Sequence, residues 1–416
     1  METFELSNLI LYKESNQYII YDKISHNYAK ISGNISPEDL VKSEKVKKLL
    51  DSFRGNILEI EQCHITTVYI NITNKCNLNC YYCSSNCDST AIEHIRHIRL
   101  DDFSTNVIPL LKIINPDKVI LTGGEPLINP DISSIILLLA NCINARIYIQ
   151  TNGYYIETLD DDAFRCIYGI NISCNAYFEN GISNCNLTSF LNRSIDPDRK
   201  KITLSIVLNK LNLSCIQDFV SYASTYNIKM LINFMTALGK GMDYRDVVLN
   251  DTEKLKILQL VSRIVLKYDY ANETASFMPR SITYKGDCGA KARNFAINKD
   301  GDVHLCKCID DDYVIGNIYV DSPFLIQQKL ECNSCVRDVF DVDSDDYCKQ
   351  CHFRYFCGGL CFAVRHYNNT FEYPCLYNKS IIKFLMFFSD KNPIKNISNL
   401  SSYLSELLDS TAGFHY

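Results

Sequence analysis

The sequence predicts an α/β protein with a parallel sheet at its centre, a small α+β unit before it and a cysteine-rich region after it. Three observations predict this. Strand-like and helix-like segments alternate between residues 68 and 235 in six β/α units of roughly 30 residues. Residues 1–66 show a different, hairpin-and-helix pattern. After Gly286 the periodicity fades and cysteine becomes frequent up to Cys375.

In the first unit, Tyr18–Tyr21 and Tyr28–Ile31 read as two strands of a hairpin around Asp22–Asn27. Ser36-Pro37-Glu38-Asp39 combines an N-cap, a proline at the first helical position and an acidic third residue. A helix is expected from Leu40 to Phe53, stopping at Gly55. In the centre, strands are expected at Val68–Thr73, Lys118–Thr122, Arg146–Thr151, Gly169–Cys174, Ile202–Leu208 and Met230–Met235. Helices are expected at Asp101–Ile114, Asp131–Cys142, Thr158–Ile167 and Ser214–Tyr226. The near-continuous apolar strands fit a sheet buried on both faces, which stays open or curves into a full or partial barrel. Thr252–Tyr270 carries Leu255, Leu258, Val261 and Val265 at helical spacing. The polar stretch 389–416 reads as a peripheral tail with one short helix around Ser402–Leu408.

At 416 residues, two or three domains are expected. With 47% hydrophobic and 22% charged residues, the composition is that of a globular protein. A formal net charge of −6 argues against tracking nucleic-acid phosphates. The N-terminus lacks a basic region followed by an apolar core, so a cytoplasmic location is expected. The apolar run Ile381–Phe388, interrupted by Lys383, is too short to span a bilayer, and no membrane partner is expected. Twenty cysteines in such a chain point to metal or redox chemistry, because disulfides are rare in reducing cytosol. Cys142, Cys166, Cys174, Cys185 and Cys215 stand alone and read as small buried hydrophobes.

Chemistry concentrates where the first central strand ends. Cys76, Cys80 and Cys83 form a C-x3-C-x2-C triplet. Three thiolates on one loop can hold three irons of a cubane cluster, leaving the fourth without a protein ligand. A closed zinc site wants four ligands, and only Cys87 stands nearby as a fourth. The second strand ends in Thr122-Gly-Gly-Glu-Pro126, whose glycines let backbone approach a ligand and whose Glu125 places a carboxylate at the same rim.

These two motifs resemble those of the radical S-adenosylmethionine (SAM) enzymes, over residues 67 to about 240. The resemblance implies a partial (β/α)6 TIM-like barrel. It implies that Cys76, Cys80 and Cys83 are the catalytic 4Fe-4S ligands, and that the open iron chelates SAM. Tyr82 would contact the adenine and Gly123 and Gly124 the methionine amino end, with Glu125 a further cofactor-binding candidate. Ser173, in Asn171-Ile-Ser-Cys-Asn175, would lie near the ribose. The family's usual Asp-Gly after that serine is here Asn175-Ala176, and Arg193 is a candidate for its ligand-binding arginine.

Downstream, Cys288-x12-Gly301-x4-Cys306 and Cys348-x2-Cys351-x5-Cys357-x3-Cys361 are followed by Cys375. A single zinc ribbon would need only four of these seven. The pattern resembles the SPASM extension, which implies two auxiliary 4Fe-4S clusters in a C-terminal iron–sulfur domain. One would take Cys288, Cys306 and Cys361, the other Cys348, Cys351, Cys357 and Cys375. The first is one ligand short; Cys308, Cys332 or Cys335 could complete it, or it could stay open to a substrate thiolate.

The expected organisation is therefore a hairpin–helix unit at 1–66 that could recognise a leader peptide, a barrel at 67–270, a SPASM domain at 271–380 and a tail at 381–416. The resemblance implies a peptide maturase that generates a 5′-deoxyadenosyl radical to modify a ribosomally made precursor peptide, by thioether or related crosslinking. Its partners would be that peptide and an external donor such as flavodoxin or ferredoxin. Two alternatives stand: a formylglycine-generating sulfatase maturase, and an iron–sulfur electron-transfer protein that does not cleave SAM. Against the former, that branch has an aspartate directly after the Cys306 position, where this chain has Lys307.

Overall fold

The computed structural model describes all residues except 56–64, 88–94, 180–184, 194–199, 269–278, 286, 287, 289, 291, 292, 310–312, 333–337, 369–374 and 412–416. Four strands open the chain: β1 (Glu2–Leu6), β2 (Leu9–Glu14), β3 (Gln17–Asp22) and β4 (Tyr28–Ser32), an antiparallel meander in chain order. The expected hairpin is β3–β4; β1 and β2 were not expected. Their turns use Ser7-Asn8 and Ser15-Asn16, with Ser7 and Ser15 at positive φ, instead of the Asn-Gly pairs that mark such turns in sequence.

Alternation sends β2 and β3 side chains to two different cores. Leu9, Leu11, Tyr18 and Ile20 pack with Leu40 and Val46 of the helices behind them. Ile10, Tyr12, Ile19 and Tyr21 pack with Tyr355, Phe356, Ile382 and Phe387 from the C-terminal region. The expected helix is two pieces, Pro37–Lys42 and Glu44–Gly55, with Ser36 capping the first by accepting from the Asp39 amide. The break falls at Ser43, whose backbone is extended.

The central strands are β5 (Thr67–Asn71), β6 (Lys118–Thr122), β7 (Arg146–Thr151), β8 (Gly169–Ser173), β9 (Ile202–Leu208) and β10 (Lys229–Phe234). Each pairs in parallel with the next, giving the six-stranded wall of a partial barrel. Within that wall, helices Cys185–Arg193 and Asn175–Glu179 were not expected; Asn175 and Ala176, in place of Asp-Gly, begin the latter. Helix Asp251–Lys267 starts at a reciprocal capping box between Asn250 and Glu253. Past it, β11 (Asn294–Ile297) adds in parallel to the free side of β5, and β12 (Asp302–His304) and β13 (Val314–Asn317) follow antiparallel. The cysteine-rich region thus continues the sheet beside the first barrel strand, the edge that carries the cysteine loop.

The C-terminal stretch corrects the expectation of a peripheral tail. Helix Leu376–Phe387 is followed by Pro393–Thr411, nineteen residues long. Ile397, Leu400 and Leu404 recur at helical spacing and join the barrel core. Gln259 Nε2 donates to Ser405 Oγ at 2.7 Å, tying this helix to Asp251–Lys267. The polar average hid the stripe, because Lys, Ser, Glu and Asp fill the outer face. Leu404 is fully buried, so Leu404→Ala is expected to cost about 2–5 kcal/mol in a chemical denaturation experiment.

Candidate active site

The loop after β5 is held from several sides. The Thr73 carbonyl accepts from the Gly124 amide at 2.8 Å, and the Lys75 carbonyl accepts from the Glu125 amide at 2.8 Å. Asn152 Nδ2 donates to Asn77 Oδ1 at 2.8 Å, and Asn209 Nδ2 donates to the Tyr81 hydroxyl at 2.7 Å. Beyond β10, the Lys240 amide donates to the Cys83 carbonyl at 2.9 Å. The ends of β6, β7, β9 and β10 therefore all position the cysteine loop.

Gly123 and Gly124 have a more specific reason to be glycine than ligand approach. A Cβ on Gly123 would lie 2.2 Å from the Thr73 carbonyl oxygen, and one on Gly124 would lie 2.2 Å from that of Lys75. Gly123 also has φ +136°, which side chains rarely adopt. The pair is where the two loops interlock, and both glycines also line the cavity. Gly124→Ala must move the cysteine loop, so iron incorporation and SAM cleavage are each expected to fall by about 10–100-fold, read by iron analysis and 5′-deoxyadenosine assay.

Glu125 departs from the expected ligand-facing position. It is fully buried and is not among the described residues lining the cavity. Its carboxylate accepts from Thr151 Oγ1 at 2.6 Å, the Asn152 amide at 2.7 Å and the Leu127 amide at 3.0 Å. Burial pushes it up to about 7 despite these bonds. It fastens the β6 loop to the end of β7.

A cavity of about 460 Å³ lies over the strand ends, lined by Cys76, Cys80, Cys83, Tyr82, Gly123, Gly124 and Ser173. Sequence reasoning did not single out Gln150, Asn171, Ser205 or Asn233, which line its wall. The signal was the period-two pattern: Ile170 and Ile172 are buried in the core, while Asn171 and Ser173 face the cavity. The Asn171 side-chain oxygen is buried with no hydrogen-bond partner, so a ligand donor would satisfy it. Among the described lining residues, Lys307 alone has a Lys, Arg, Asp or Glu side chain. Its Nζ lies 4.8 Å from the Tyr69 ring centre. Cys87 also lines this cavity, and its hydrogen bond holds the Cys83 thiol well below the usual range. Burial pushes Cys76 up to about 11. The Arg193 side chain lies outside the described residues.

The downstream cysteines separate into two groups. Cys348, Cys351, Cys357 and Cys375 line one small cavity. Cys306 and Cys308 are hydrogen-bonded through their thiols, and Cys361 interacts electrostatically with each. Gly358 and Gly359, at φ +75° and +78°, turn the chain between Cys357 and Cys361 and so divide one motif between two sites. Cys288 is exposed. Cys335 and the Cys332 side chain lie outside the described residues. Of the lone cysteines, Cys174 and Cys215 are buried, and Cys142 and Cys166 are half-buried against the core. The Cys185 side chain is also outside the described residues.

Residues 70–173, which hold both the triplet and the Gly-Gly turn, match the model of the Radical SAM superfamily. The chain carries a radical SAM domain. The cofactors of a radical SAM domain are a 4Fe-4S cluster and SAM. The chain is 24% identical over 251 residues to the GTP 3′,8-cyclase of Synechocystis sp., covering 58% of this chain and 72% of that one. It is 21% identical over 287 residues to the GTP 3′,8-cyclase of Clostridium botulinum, covering 64% and 88%. Among solved structures it is similar to anSMEcpe with bound AdoMet, at TM-score 0.56 and 16% identity, covering 84% of this chain and 95% of that one. It is also similar to Streptococcus suis SuiB bound to precursor peptide SuiA, at TM-score 0.54 and 12% identity, covering 87% and 96%. At such identities the structural likeness is one of fold.

The radical SAM site fits its cofactors. Three thiols from one short loop line a cavity whose other described polar walls are neutral save for Lys307, and soft thiolates select iron–sulfur clusters. Among the described residues, no three His, Cys, Asp or Glu side chains close on a single point as a mononuclear ion requires. A cubane spreads its thiolates over separate irons. Among the described residues, no helix is long and apolar enough to cross a membrane.

Proposed function

We propose that this radical SAM protein is a peptide maturase that installs a thioether or related crosslink in a ribosomally made precursor peptide. The observation that carries this reading is the convergence of Cys348, Cys351, Cys357 and Cys375 on one cavity, in addition to the triplet. Those four would hold a distal auxiliary cluster, and Cys306, Cys361 and Cys288 a nearer one, within a SPASM domain at 271–380. An external flavodoxin or ferredoxin would supply electrons. The solved structures of SuiB with SuiA and of anSMEcpe with the Cp18Cys peptide support a peptide substrate.

When bound, the cluster and SAM supply a carbon radical able to take hydrogen from an unactivated carbon. The protein positions and shields that chemistry. Cys76, Cys80 and Cys83 would hold the cluster, and the interlocked Gly123–Gly124 turn keeps their loop in place. Tyr82 and Ser173 border the space for the nucleoside. The unpaired Asn171 oxygen accepts a hydrogen bond from bound ligand. Lys307, which lines the cavity, would offer its amine to a bound substrate. A second cavity of about 310 Å³ shares Cys87, Gly123 and Lys307 with the first and would give a peptide a path to it.

Residues 1–66 would recognise the leader peptide by strand addition at the outer edge of β1. Both faces of that sheet are covered, and the other edge strand is tied down by Tyr28, whose hydroxyl donates to the Ile282 carbonyl at 2.7 Å.

The cyclase relatives raise a second reading, a nucleotide substrate. A triphosphate calls for several cations, and the cavity offers Lys307 alone among its described residues. Anaerobic reconstitution with SAM and a reductant separates the readings. A candidate precursor peptide from a neighbouring small reading frame should stimulate 5′-deoxyadenosine formation and gain a crosslink. Stimulation by GTP, with conversion of the nucleotide, would reverse the assignment.

A further inference from the structure

We propose that Cys308 is a ligand of the auxiliary cluster nearest the radical cavity, and that it closes this cluster against exogenous ligands. The inference rests on the reading of Cys306 and Cys361 as cluster ligands. Spacing alone offers Cys308, Cys332, Cys335 or a vacant iron for the missing place. The fold brings Cys308 to the other two. Cys306 follows β12, and the Ile309 amide donates to the Cys306 carbonyl at 3.3 Å, closing a turn. That turn folds Cys308 back until its thiol hydrogen-bonds with that of Cys306. Cys361 reaches the same place from the start of helix Phe362–Tyr367.

The surroundings suit a cluster. Leu238, Ile309, Ala363 and Val364 form a buried apolar patch against which Cys306, Cys308 and Phe362 pack. Such a wall shields one side of an iron–sulfur centre from water, one of the levers on its potential, while Cys361 and Cys288 lie at its exposed side. Lys307, between the two cysteines, lines the radical cavity. The cluster would therefore stand directly behind the cavity wall. With Cys288, Cys306, Cys308 and Cys361 all bound, none of its irons is vacant for a substrate thiolate. Substrate would be held by the cavity residues, without a sulfur–iron bond.

The test compares full-length wild type, Cys306→Ala, Cys308→Ala and Cys308→Ser after anaerobic reconstitution, with Cys142→Ala as a control. Iron and sulfide per chain are measured, and EPR spectra are recorded before and after adding free cysteine. Cys306→Ala should lose about four irons per chain. Cys308→Ala should either lose the same iron or keep a cluster whose spectrum changes when cysteine is added. Cys308→Ser should retain iron with a shifted spectrum, because oxygen replaces sulfur. Wild type and Cys142→Ala should not respond to cysteine. Full iron and an unchanged, cysteine-insensitive spectrum in Cys308→Ala, while Cys306→Ala loses iron, would overturn the proposal. A wild-type spectrum that shifts with cysteine would overturn it equally. Full iron in Cys306→Ala would remove the reading on which it rests, a separate result. Retained circular dichroism in each variant excludes misfolding as the cause.

Discussion

Cys76→Ala is expected to abolish SAM cleavage, with 5′-deoxyadenosine formation falling to background under saturating reductant. Cys76 lines the cavity with Cys80 and Cys83, and Cys87 is the one other thiol among the described lining residues. Cys87 is beside Cys83 and lines the same cavity. If it moved in as a ligand, it would arrive from the opposite end of the loop. The loss should therefore exceed the roughly 10–100-fold typical of outer-shell changes. The downstream groups should keep their iron, so the chain should retain most of its cluster absorbance. Substantial 5′-deoxyadenosine from this variant would remove Cys76 from the ligand set.

Cys351→Ala is expected to do the reverse. It should remove about four irons per chain while leaving 5′-deoxyadenosine formation near the wild-type rate. Crosslinked product per 5′-deoxyadenosine should drop by about tenfold or more. The reason is distance along the fold: Cys351 lines the small cavity with Cys348, Cys357 and Cys375, which shares no described residue with the radical cavity. A structural side effect is separable. Cys348 belongs to the core formed with Ile10, Tyr12 and Tyr21, and the Tyr12 hydroxyl donates to the His352 carbonyl at 2.5 Å. Losing the cluster should thus also loosen the N-terminal sheet, seen as earlier proteolysis within residues 1–55. An unchanged product ratio would count against a role for the distal group in turnover.

The parallel strands were legible because each is a short segment rich in Ile, Leu or Val between turn or helix signals, and β6, β7 and β9 have the bounds read from sequence. The strands β1, β2 and β11–β13 were not legible. The first two lack conspicuous turn residues, and the last three are short, with edges defined by pairing to β5 and to each other. Helix Pro393–Thr411 was concealed by a polar outer face around Ile397, Leu400 and Leu404.

By itself, the sequence determined the chemistry: thiol spacing within one loop limits how many irons that loop can hold, and a Gly-Gly turn one β/α unit later restricts what stands beside it. Spacing in sequence controls only local geometry, because a few residues span a fixed reach. How the seven downstream cysteines group depends on contacts between distant segments, and tertiary structure decided it. The left-handed Gly358–Gly359 pair sends Cys357 and Cys361 to different places. The turn at Cys306–Ile309 brings Cys308 against Cys306. Glu125 was likewise reassigned by folding, since only the packed strand ends reveal that its carboxylate is consumed by Thr151, Asn152 and Leu127. The three-cysteine loop was readable from neighbours in the chain; its partners became readable only from neighbours in space.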